Sequence, residues 1–250
     1  MRPADSPFVS IVIPVFNSET LLAPLVEELL ERLTGLYRLE IILVNDASRD
    51  GSEKVCVSLY RRYPNVIKVL SLARNAGEHR AVMTGLRQVS GDYAVVMDDD
   101  GQNPPSQVPV LVQELLSGNH DVVYGAYRKK YHPAWRNAVS FFYNTAARVM
   151  LRKPAGLYLS SFKVLNRKIL NRMLELPEIP ACLDAVVLKT AQSVGQVTVE
   201  HLPRKSGRSG YSLFKLGRLG MSFFMAPRDA GASPLAAGKT WGCGEPEALI

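Results

Sequence analysis

The stretch DYAVVMDDDGQNPP, residues 92–105, decides the fold. Residues 93–97 have the length and the β-branched content of a buried strand, and three aspartates, residues 98–100, follow directly. Like charges this close together do not all stay ionised without a cation. The pattern therefore predicts a divalent metal that carries phosphates, and oxygen ligands favour Mg²⁺ or Mn²⁺. The alternative is a solvated acidic turn that caps a helix beginning at Ser106.

The composition indicates one α/β domain, or one domain with an appendage, because the chain has 250 residues and 47% of them are hydrophobic. Its three cysteines, Cys56, Cys182 and Cys243, are too widely spaced for a disulfide framework or a zinc site, which favours a reducing cytoplasm. The N-terminus, MRPADSPF, has no apolar signal core. No apolar run approaches the roughly 20 residues that cross a bilayer, so the sequence predicts no transmembrane segment and leaves attachment to a membrane surface open.

The two halves of the chain carry opposite charge. Residues 1–121 hold 11 Lys and Arg against 16 Asp and Glu, a net charge of −5, whereas residues 122–250 hold 19 against 7, a net charge of +12. Residues 122–174 contain eleven basic residues and no acidic one. The second half therefore favours an anionic ligand or surface, and nucleic acid and anionic lipid are both candidates.

Strand and helix patterns alternate four times with short loops between them, which predicts an α/β fold: a mostly parallel sheet flanked by helices on both faces. The predicted strands cover residues 8–13, 39–44, 66–72, 93–97 and 121–124. Each of the first four is followed by a polar cluster, and these clusters cover residues 14–19, 45–52, 74–79 and 98–102. Ligands of parallel sheets bind at the carboxyl ends of the strands, so we expect all four clusters in one crevice. The first strand is followed by neither GxGxxG nor GxxxxGK[ST], which argues against an ordinary Rossmann oxidoreductase and a P-loop NTPase.

The four post-strand segments together resemble a known family. PVFNSE, VNDASRDGS, LARNAGEHRAVMTGL and VMDDDGQNPP, one after each of the first four strands, are similar to the inverting family 2 glycosyltransferases with the GT-A fold. The resemblance runs in register over residues 8–211. Within that family, the Asp-x-Asp-x-Gln-x-Pro-Pro form and the segments YRKKYHPAWRNAVSFFYN and GRSGYSLFKL resemble the polyprenyl-phosphate glycosyltransferases, whose acceptors are dolichyl or undecaprenyl phosphate.

The resemblance implies a domain organisation. Residues 1–210 correspond to a GT-A glycosyltransferase domain, and residues 211–226 have the apolar and basic content of an amphipathic interfacial helix, although packing on the domain is an alternative. Residues 227–250 are rich in Gly, Ala and Pro and contain no spanning run, which predicts a disordered tail. Relatives commonly continue into two membrane-spanning helices at this point.

The resemblance also assigns the donor site. It implies that a UDP- or GDP-linked sugar is bound by Pro14, Phe16, Asn17, Glu19, Asp46, Arg74, Asp98 and Asp99. It makes Asp98, Asp100 and Gln102 the ligands of Mg²⁺ or Mn²⁺, and Asp100 thereby becomes a catalytic residue. For Glu19 a role in the first turn of a helix is the alternative, and for Arg74 it is a surface ion pair. Gly101 departs from the family, which usually has an apolar residue there.

For the acceptor, the resemblance implies a polyprenyl phosphate, which is anionic near neutral pH and can attack without a strong general base. The implied acceptor-binding residues are Arg128, Arg136, Ser140, Asn144, Arg204, Ser209 and Tyr211. Arg136, Ser140 and Asn144 recur at a spacing of four, which places them on one face of a helix. Residues 204–211 resemble a mobile lid, and the alternative for the arginines is a solvated basic face.

Asp184 is the second candidate catalytic residue, because soluble relatives place a carboxylate base near this position. Its alternative is a helix start just after Pro180. The sequence thus predicts a metal-dependent inverting transferase, peripheral at the cytoplasmic face of an anionic membrane, which does not bind nucleic acid. A soluble transferase acting on a saccharide or protein hydroxyl, and an inactive relative that binds only nucleotide or membrane, are the alternatives.

Overall fold

A computed structural model of the chain describes residues 6–127, 156–175, 183–203, 239–242 and 245–249. Its strands are β1 Phe8–Val15, β2 Arg38–Asn45, β3 Ile67–Ser71, β4 Tyr93–Val96, β5 Val122–Tyr127, β6 Lys163–Asn166, β7 Val194–Val199, β8 Lys239–Gly242 and β9 Glu245–Leu249. Its helices are α1 Leu22–Leu33, α2 Ser52–Arg62, α3 Glu78–Leu86, α4 Val108–Ser117, α5 Arg167–Leu174 and α6 Leu183–Thr190. No helix within these ranges is long and apolar enough to cross a bilayer.

The described strands form one sheet in the order β7-β5-β6-β4-β1-β2-β3-β8-β9. Strands β3, β2, β1 and β4 are parallel neighbours, and β7 is parallel to β5. Strand β6 is antiparallel to both β4 and β5, so it alone runs against the other six of the strands β1 to β7. The predicted mostly parallel sheet is therefore confirmed, and the reversed β6 is an addition that the sequence did not predict.

Helices cover both faces of the sheet, as predicted. Successive side chains of a strand point to opposite faces, and in β1 Ile11 and Ile13 pack into one core while Val12 packs into the other. Helices α1, α2 and α4 complete the first core, and α3, α5 and α6 complete the second. Burying each Leu or Val side chain contributes roughly 1.5–3 kcal/mol, so these two apolar layers fix the positions of the strand ends.

The end of the chain departs from its prediction. The sequence predicts a disordered tail over residues 227–250. In the structure, β8 pairs antiparallel with β3, and β9 pairs antiparallel with β8. The prediction is corrected for residues 239–242 and 245–249. An edge strand such as β3 presents unpaired backbone N–H and C=O groups that almost any extended segment can satisfy, so side-chain composition gave no sign of this pairing. The predicted interfacial helix at residues 211–226 lies outside the described residues.

Candidate active site

Four loops follow the carboxyl ends of the parallel strands and lie at one edge of the sheet. They are loop 1, residues 16–21; loop 2, residues 46–51; loop 3, residues 72–77; and loop 4, residues 97–104. The strand register aligns their starting points, with Val15 opposite Asn45 and Asn45 opposite Ser71. The expected proximity of the four clusters is confirmed, because hydrogen bonds join loop 2 to loops 1 and 3, and loop 4 to loop 1.

Loop 1 is fastened to loop 2 through two predicted nucleotide-binding residues. Asn17 has a left-handed backbone (φ 56°), and its amide oxygen accepts the N–H of Arg49 at 2.8 Å. Its own N–H donates to Ser48 Oγ at 3.1 Å. Glu19 Oε2 accepts the N–H of Gly51 at 3.0 Å. Both side chains therefore shape the loops, and their contact with a nucleotide remains a prediction.

Loop 4 is fastened to loop 1 by the middle aspartate. Asp99 Oδ2 accepts the backbone N–H of Phe16 at 2.9 Å. The Phe16 side chain is 37% exposed, so its ring is available to stack on a flat base. Pro14, two residues earlier, lies inside β1 and is half-buried. Asp99 thus holds the backbone of loop 1 at Phe16, whose ring is the candidate for stacking on the base.

Loop 3 is fastened by Asp46, which is buried. Its carboxylate oxygens accept the backbone N–H groups of Ala76 at 2.6 Å and Gly77 at 2.9 Å. Burial raises the pKa of the Asp46 carboxyl, and the two N–H donors partly offset that rise. A carboxylate has about four lone-pair sites, so these bonds leave room for a base N–H. Arg74, in the same loop, is exposed.

The first aspartate, Asp98, accepts a hydrogen bond from a serine in the loop that precedes β6. Ser161 Oγ donates to Asp98 Oδ2 at 2.6 Å. Burial raises the pKa of the Asp98 carboxyl well above its usual value, and the nearby carboxylates of Glu78 and Asp100 raise it further. A desolvated carboxylate surrounded by like charges is the environment that a bound cation stabilises.

The other two predicted metal ligands, Asp100 and Gln102, are also positioned by hydrogen bonds within the protein. Asp100 Oδ1 accepts the backbone N–H of Gln102 at 3.0 Å. The Gln102 side-chain amide donates to the backbone oxygen of Leu202 at 3.1 Å, which leaves its amide oxygen available to a cation. Among the described residues no group of three or more His, Cys, Asp and Glu side chains is arranged to hold a metal. Two carboxylates and an amide fit Mg²⁺ or Mn²⁺, which commonly keep positions for phosphate oxygens.

An aromatic cluster that the sequence reasoning missed lies beside these ligands. Tyr127 packs edge-on against Tyr158 at 5.7 Å between ring centroids and lies 4.2 Å from the His201 ring. Its hydroxyl donates to Asn103 Oδ1 at 3.0 Å. Burial raises the Tyr127 pKa, and the Asp98 carboxylate adds to that rise. Strand β5 therefore ends next to the candidate metal site.

The predicted acceptor-binding residues themselves are not described by the structure. Arg128, Arg136, Ser140, Asn144, Arg204, Ser209 and Tyr211 all lie outside the described residues. Their roles remain predictions.

Asp184 lies in the first turn of α6, the position that its structural alternative predicts. It is buried and forms an ion pair with Lys163, and the same carboxylate oxygen accepts the Tyr124 hydroxyl at 3.0 Å. Both partners were missed by the sequence reasoning. Lys163 could have been noticed, because it interrupts the otherwise apolar run Phe162–Leu165.

Comparison with known proteins gives the family context. A sequence model of the family "Glycosyl transferase family 2" matches residues 10–174. An undecaprenyl-phosphate 4-deoxy-4-formamido-L-arabinose transferase of Pseudomonas savastanoi pv. phaseolicola is 33% identical over 224 residues, which is 88% of this chain and 65% of that protein. The enzyme of the same name from Yersinia enterocolitica is 35% identical over 83% of this chain and 64% of its own length. The chain thus spans just under two thirds of these relatives.

Solved structures share the fold at lower identity. Glucosyl-3-phosphoglycerate synthase from Mycobacterium tuberculosis, in complex with Mn²⁺ and UDP-glucose, superposes with a TM-score of 0.63 at 21% identity and covers 87% of this chain and 77% of that one. A mannosyltransferase from Pyrobaculum calidifontis, in complex with GDP-Man and Mn²⁺, gives a TM-score of 0.63 at 21% identity over 93% of this chain and 68% of that one. The sheet and its flanking helices therefore share the fold of these two enzymes.

Proposed function

The chain belongs to glycosyl transferase family 2, and from that premise we propose that it transfers a sugar, with inversion, from a nucleotide sugar to a polyprenyl phosphate. The observation that carries the proposal is the position of the three aspartates. They follow β4 at the carboxyl edge of the sheet, where Asp98 is desolvated beside other carboxylates and Asp99 binds loop 1. This is the edge at which parallel sheets bind nucleotides.

The donor would lie across loops 1 to 4. Phe16 offers a ring face to the base, and Asp46 keeps loop 3 in place while retaining lone pairs for a base N–H. Asp98, Asp100 and Gln102 would hold Mg²⁺ or Mn²⁺, and a cation bound there offsets the charge that develops on the departing nucleoside diphosphate. The named Mn²⁺ complexes of structural neighbours with UDP-glucose and GDP-Man support both the cation and the donor class.

We propose a polyprenyl phosphate as the acceptor. Relatives at 33–35% identity are named as undecaprenyl-phosphate transferases, which supports a polyprenyl phosphate. Such a phosphate is already anionic near neutral pH and needs no strong base. That chemistry agrees with the bonds of Asp184, whose Oδ1 already pairs with the Lys163 ammonium and accepts the Tyr124 hydroxyl.

We propose that the basic second half of the chain, residues 122–250, recognises the acceptor and the membrane. The arginines at positions 128, 136 and 204 would bind the lipid phosphate, because guanidinium groups suit phosphate geometry. We propose peripheral association with an anionic membrane at its cytoplasmic face rather than binding to nucleic acid. The support is the run of eleven basic and no acidic residues over 122–174 together with the named relatives.

The test uses the whole chain with Mn²⁺, a panel of UDP- and GDP-sugars and short-chain polyprenyl phosphates. We expect a lipid-linked sugar for at least one donor. Asp100→Ala should weaken Mn²⁺-dependent donor binding by about 100-fold, because it removes one of the three proposed ligands of the cation that carries the diphosphate. Asp92→Ala is the matched control, since Asp92 is exposed and precedes β4 at its opposite end. If Asp100→Ala binds donor as the parent does, the proposal fails.

A further inference from the structure

A small cavity of about 80 Å³, lined by both polar and apolar side chains, lies beside the candidate metal site, between β4, β6, α3 and α6. Its polar lining consists of Glu78, His79, Ser160, Ser161, Lys163 and Asp184. Ser161 places the cavity relative to the site, because the same hydroxyl that lines it donates to Asp98 at 2.6 Å. A group in this cavity would therefore lie next to a residue proposed to hold the donor diphosphate.

The lining of the cavity includes a buried ion pair with unused hydrogen-bonding capacity. The side chains of Lys163 and Asp184 are 3% and 10% exposed. The Lys163 ammonium bonds to Asp184 Oδ1 and lies over the Tyr124 ring at 4.9 Å. An ammonium has three donors and a carboxylate two oxygens, so N–H donors of Lys163 and Asp184 Oδ2 have no partner among the described residues.

Stability alone does not account for this pair. A buried ion pair must overcome the desolvation of both charges, and apolar replacements of similar volume are often at least as stable. A binding site for a polar group has a different requirement, since it must offer a hydrogen-bond donor and an acceptor side by side, as Lys163 and Asp184 do. A sugar hydroxyl or amide, which donates and accepts at once, meets that requirement.

The size and charge of the cavity narrow the ligand class. A water molecule needs about 10–15 Å³ of such space, so the cavity holds several waters or one substituent, whereas whole-ligand pockets measure about 300–1,000 Å³. The ion pair is neutral overall and Glu78 adds negative charge, so the cavity disfavours a phosphate. A neutral polar group attached to a sugar ring fits both limits.

We propose that this cavity is the subsite for a polar ring substituent of the donor sugar, a hydroxyl, hydroxymethyl or acylamino group, and that Lys163 and Asp184 determine donor specificity. The inference rests on the proposed function, because it requires the donor diphosphate at Asp98 and Asp100. The anomeric carbon is bonded to that diphosphate, so the ring must extend from it, and the cavity is adjacent.

The test compares the affinities for UDP and for UDP-sugars, and for GDP and GDP-mannose, in the presence of Mn²⁺. In Lys163→Met/Asp184→Leu, which removes both charges together so that neither is left buried and unpaired, affinity for the free nucleotide should stay within about threefold. The Kd ratio of the preferred nucleotide sugar to its free nucleotide should rise by at least about tenfold, because two hydrogen bonds to the sugar are lost.

A second ion pair provides the matched control. Lys68 binds Glu40 at 2.6 Å near the amino ends of β3 and β2, away from the crevice. Burial opposes ionisation of Glu40, but hydrogen bonds from Lys68 and Ser10 lower its pKa, so this pair is charged as well. Lys68→Met/Glu40→Gln should leave the Kd ratio unchanged.

The outcomes separate the inference from the proposed function. If the parent binds nucleotide but the Lys163→Met/Asp184→Leu ratio equals that of the parent, the cavity holds water only and the inference is overturned while the proposed function stands. If the parent binds neither nucleotide nor nucleotide sugar, the proposed function fails and the inference fails with it. Thermal unfolding of each variant checks that the compared proteins are folded.

Discussion

Ser161 is a positioning residue for the candidate metal site. Its hydroxyl donates to Asp98 Oδ2 at 2.6 Å and so fixes which carboxylate oxygen faces the crevice. Losing a partner that orients a metal ligand typically costs about 10–100-fold in metal affinity. We therefore expect Ser161→Ala to raise the Mn²⁺ concentration required for half-maximal UDP binding by about tenfold, measured by calorimetric titration at several Mn²⁺ concentrations.

The neighbouring serine supplies the control for that experiment. Ser160 is also buried, but its hydroxyl donates to the backbone oxygen of Phe162 at 2.7 Å rather than to Asp98. Ser160→Ala should leave the Mn²⁺ requirement unchanged, and Ser161→Thr, which keeps the hydroxyl, should restore it. Equal shifts in the two alanine variants would show that general loosening of this segment, not the bond to Asp98, sets the Mn²⁺ requirement.

At the residue scale the sequence located the crevice but did not reveal what each polar side chain binds within the protein. Asn17, Glu19, Asp46 and Asp99 were all assigned to the nucleotide, and each accepts a backbone N–H from a neighbouring loop. The physical reason is that tight loops after parallel strands carry backbone N–H groups with no ladder partner, and nearby oxygens must satisfy them. Only the spatial contact of two loops shows this need.

At the scale of elements, Gly77 controls the start of α3. Its φ of 91° with ψ of 154° lies in a region that L side chains rarely adopt, and its N–H binds Asp46 at 2.9 Å. Gly77→Ala should lower the free energy of unfolding by about 1–3 kcal/mol, because the added Cβ strains this backbone conformation. Urea unfolding monitored by circular dichroism measures the change.

Gly35 is the matched glycine for comparison. A Cβ at Gly35 would meet nothing within 4 Å, and the same is true at Gly77, so the two positions differ in backbone conformation rather than in space. Gly35→Ala should be neutral, or stabilising by about 0.4–1 kcal/mol through the unfolded chain. A loss at Gly35 as large as that at Gly77 would rule out backbone strain as the cause.

The elements that could be predicted are those with a local pattern. Strands β1 to β4 read as apolar runs, and α1 buries Leu22, Leu25, Val26, Leu29 and Leu33 at helical spacing. Strand β6 has only four residues, and it is recognisable only through its antiparallel pairing with β4 and β5. Strands β8 and β9 depend in the same way on the free edge of β3. Pairing between distant segments leaves little trace in local sequence.

At the scale of the whole molecule, the charge distribution separates the proposed donor and acceptor sides. The half that contains loops 1 to 4 has a net charge of −5, from 11 basic and 16 acidic residues. The half from residue 122 has a net charge of +12, from 19 basic and 7 acidic residues, and it begins with β5. An anionic lipid would therefore be attracted to the second half, while the acidic crevice needs a cation before it accepts a diphosphate.

This asymmetry predicts membrane binding that depends on salt and on particular lysines. The chain should co-sediment with vesicles containing anionic phosphatidylglycerol but not with pure phosphatidylcholine, and higher salt should release it because charges are screened beyond about 8 Å at 0.15 M. Lys129→Ser/Lys130→Ser should weaken binding about tenfold or more, at roughly 1 kcal/mol per basic residue near the surface. Arg61→Ser/Arg62→Ser removes the same charge from α2 and should have little effect. If both pairs weaken binding equally, net charge rather than the basic segment after β5 recruits the membrane.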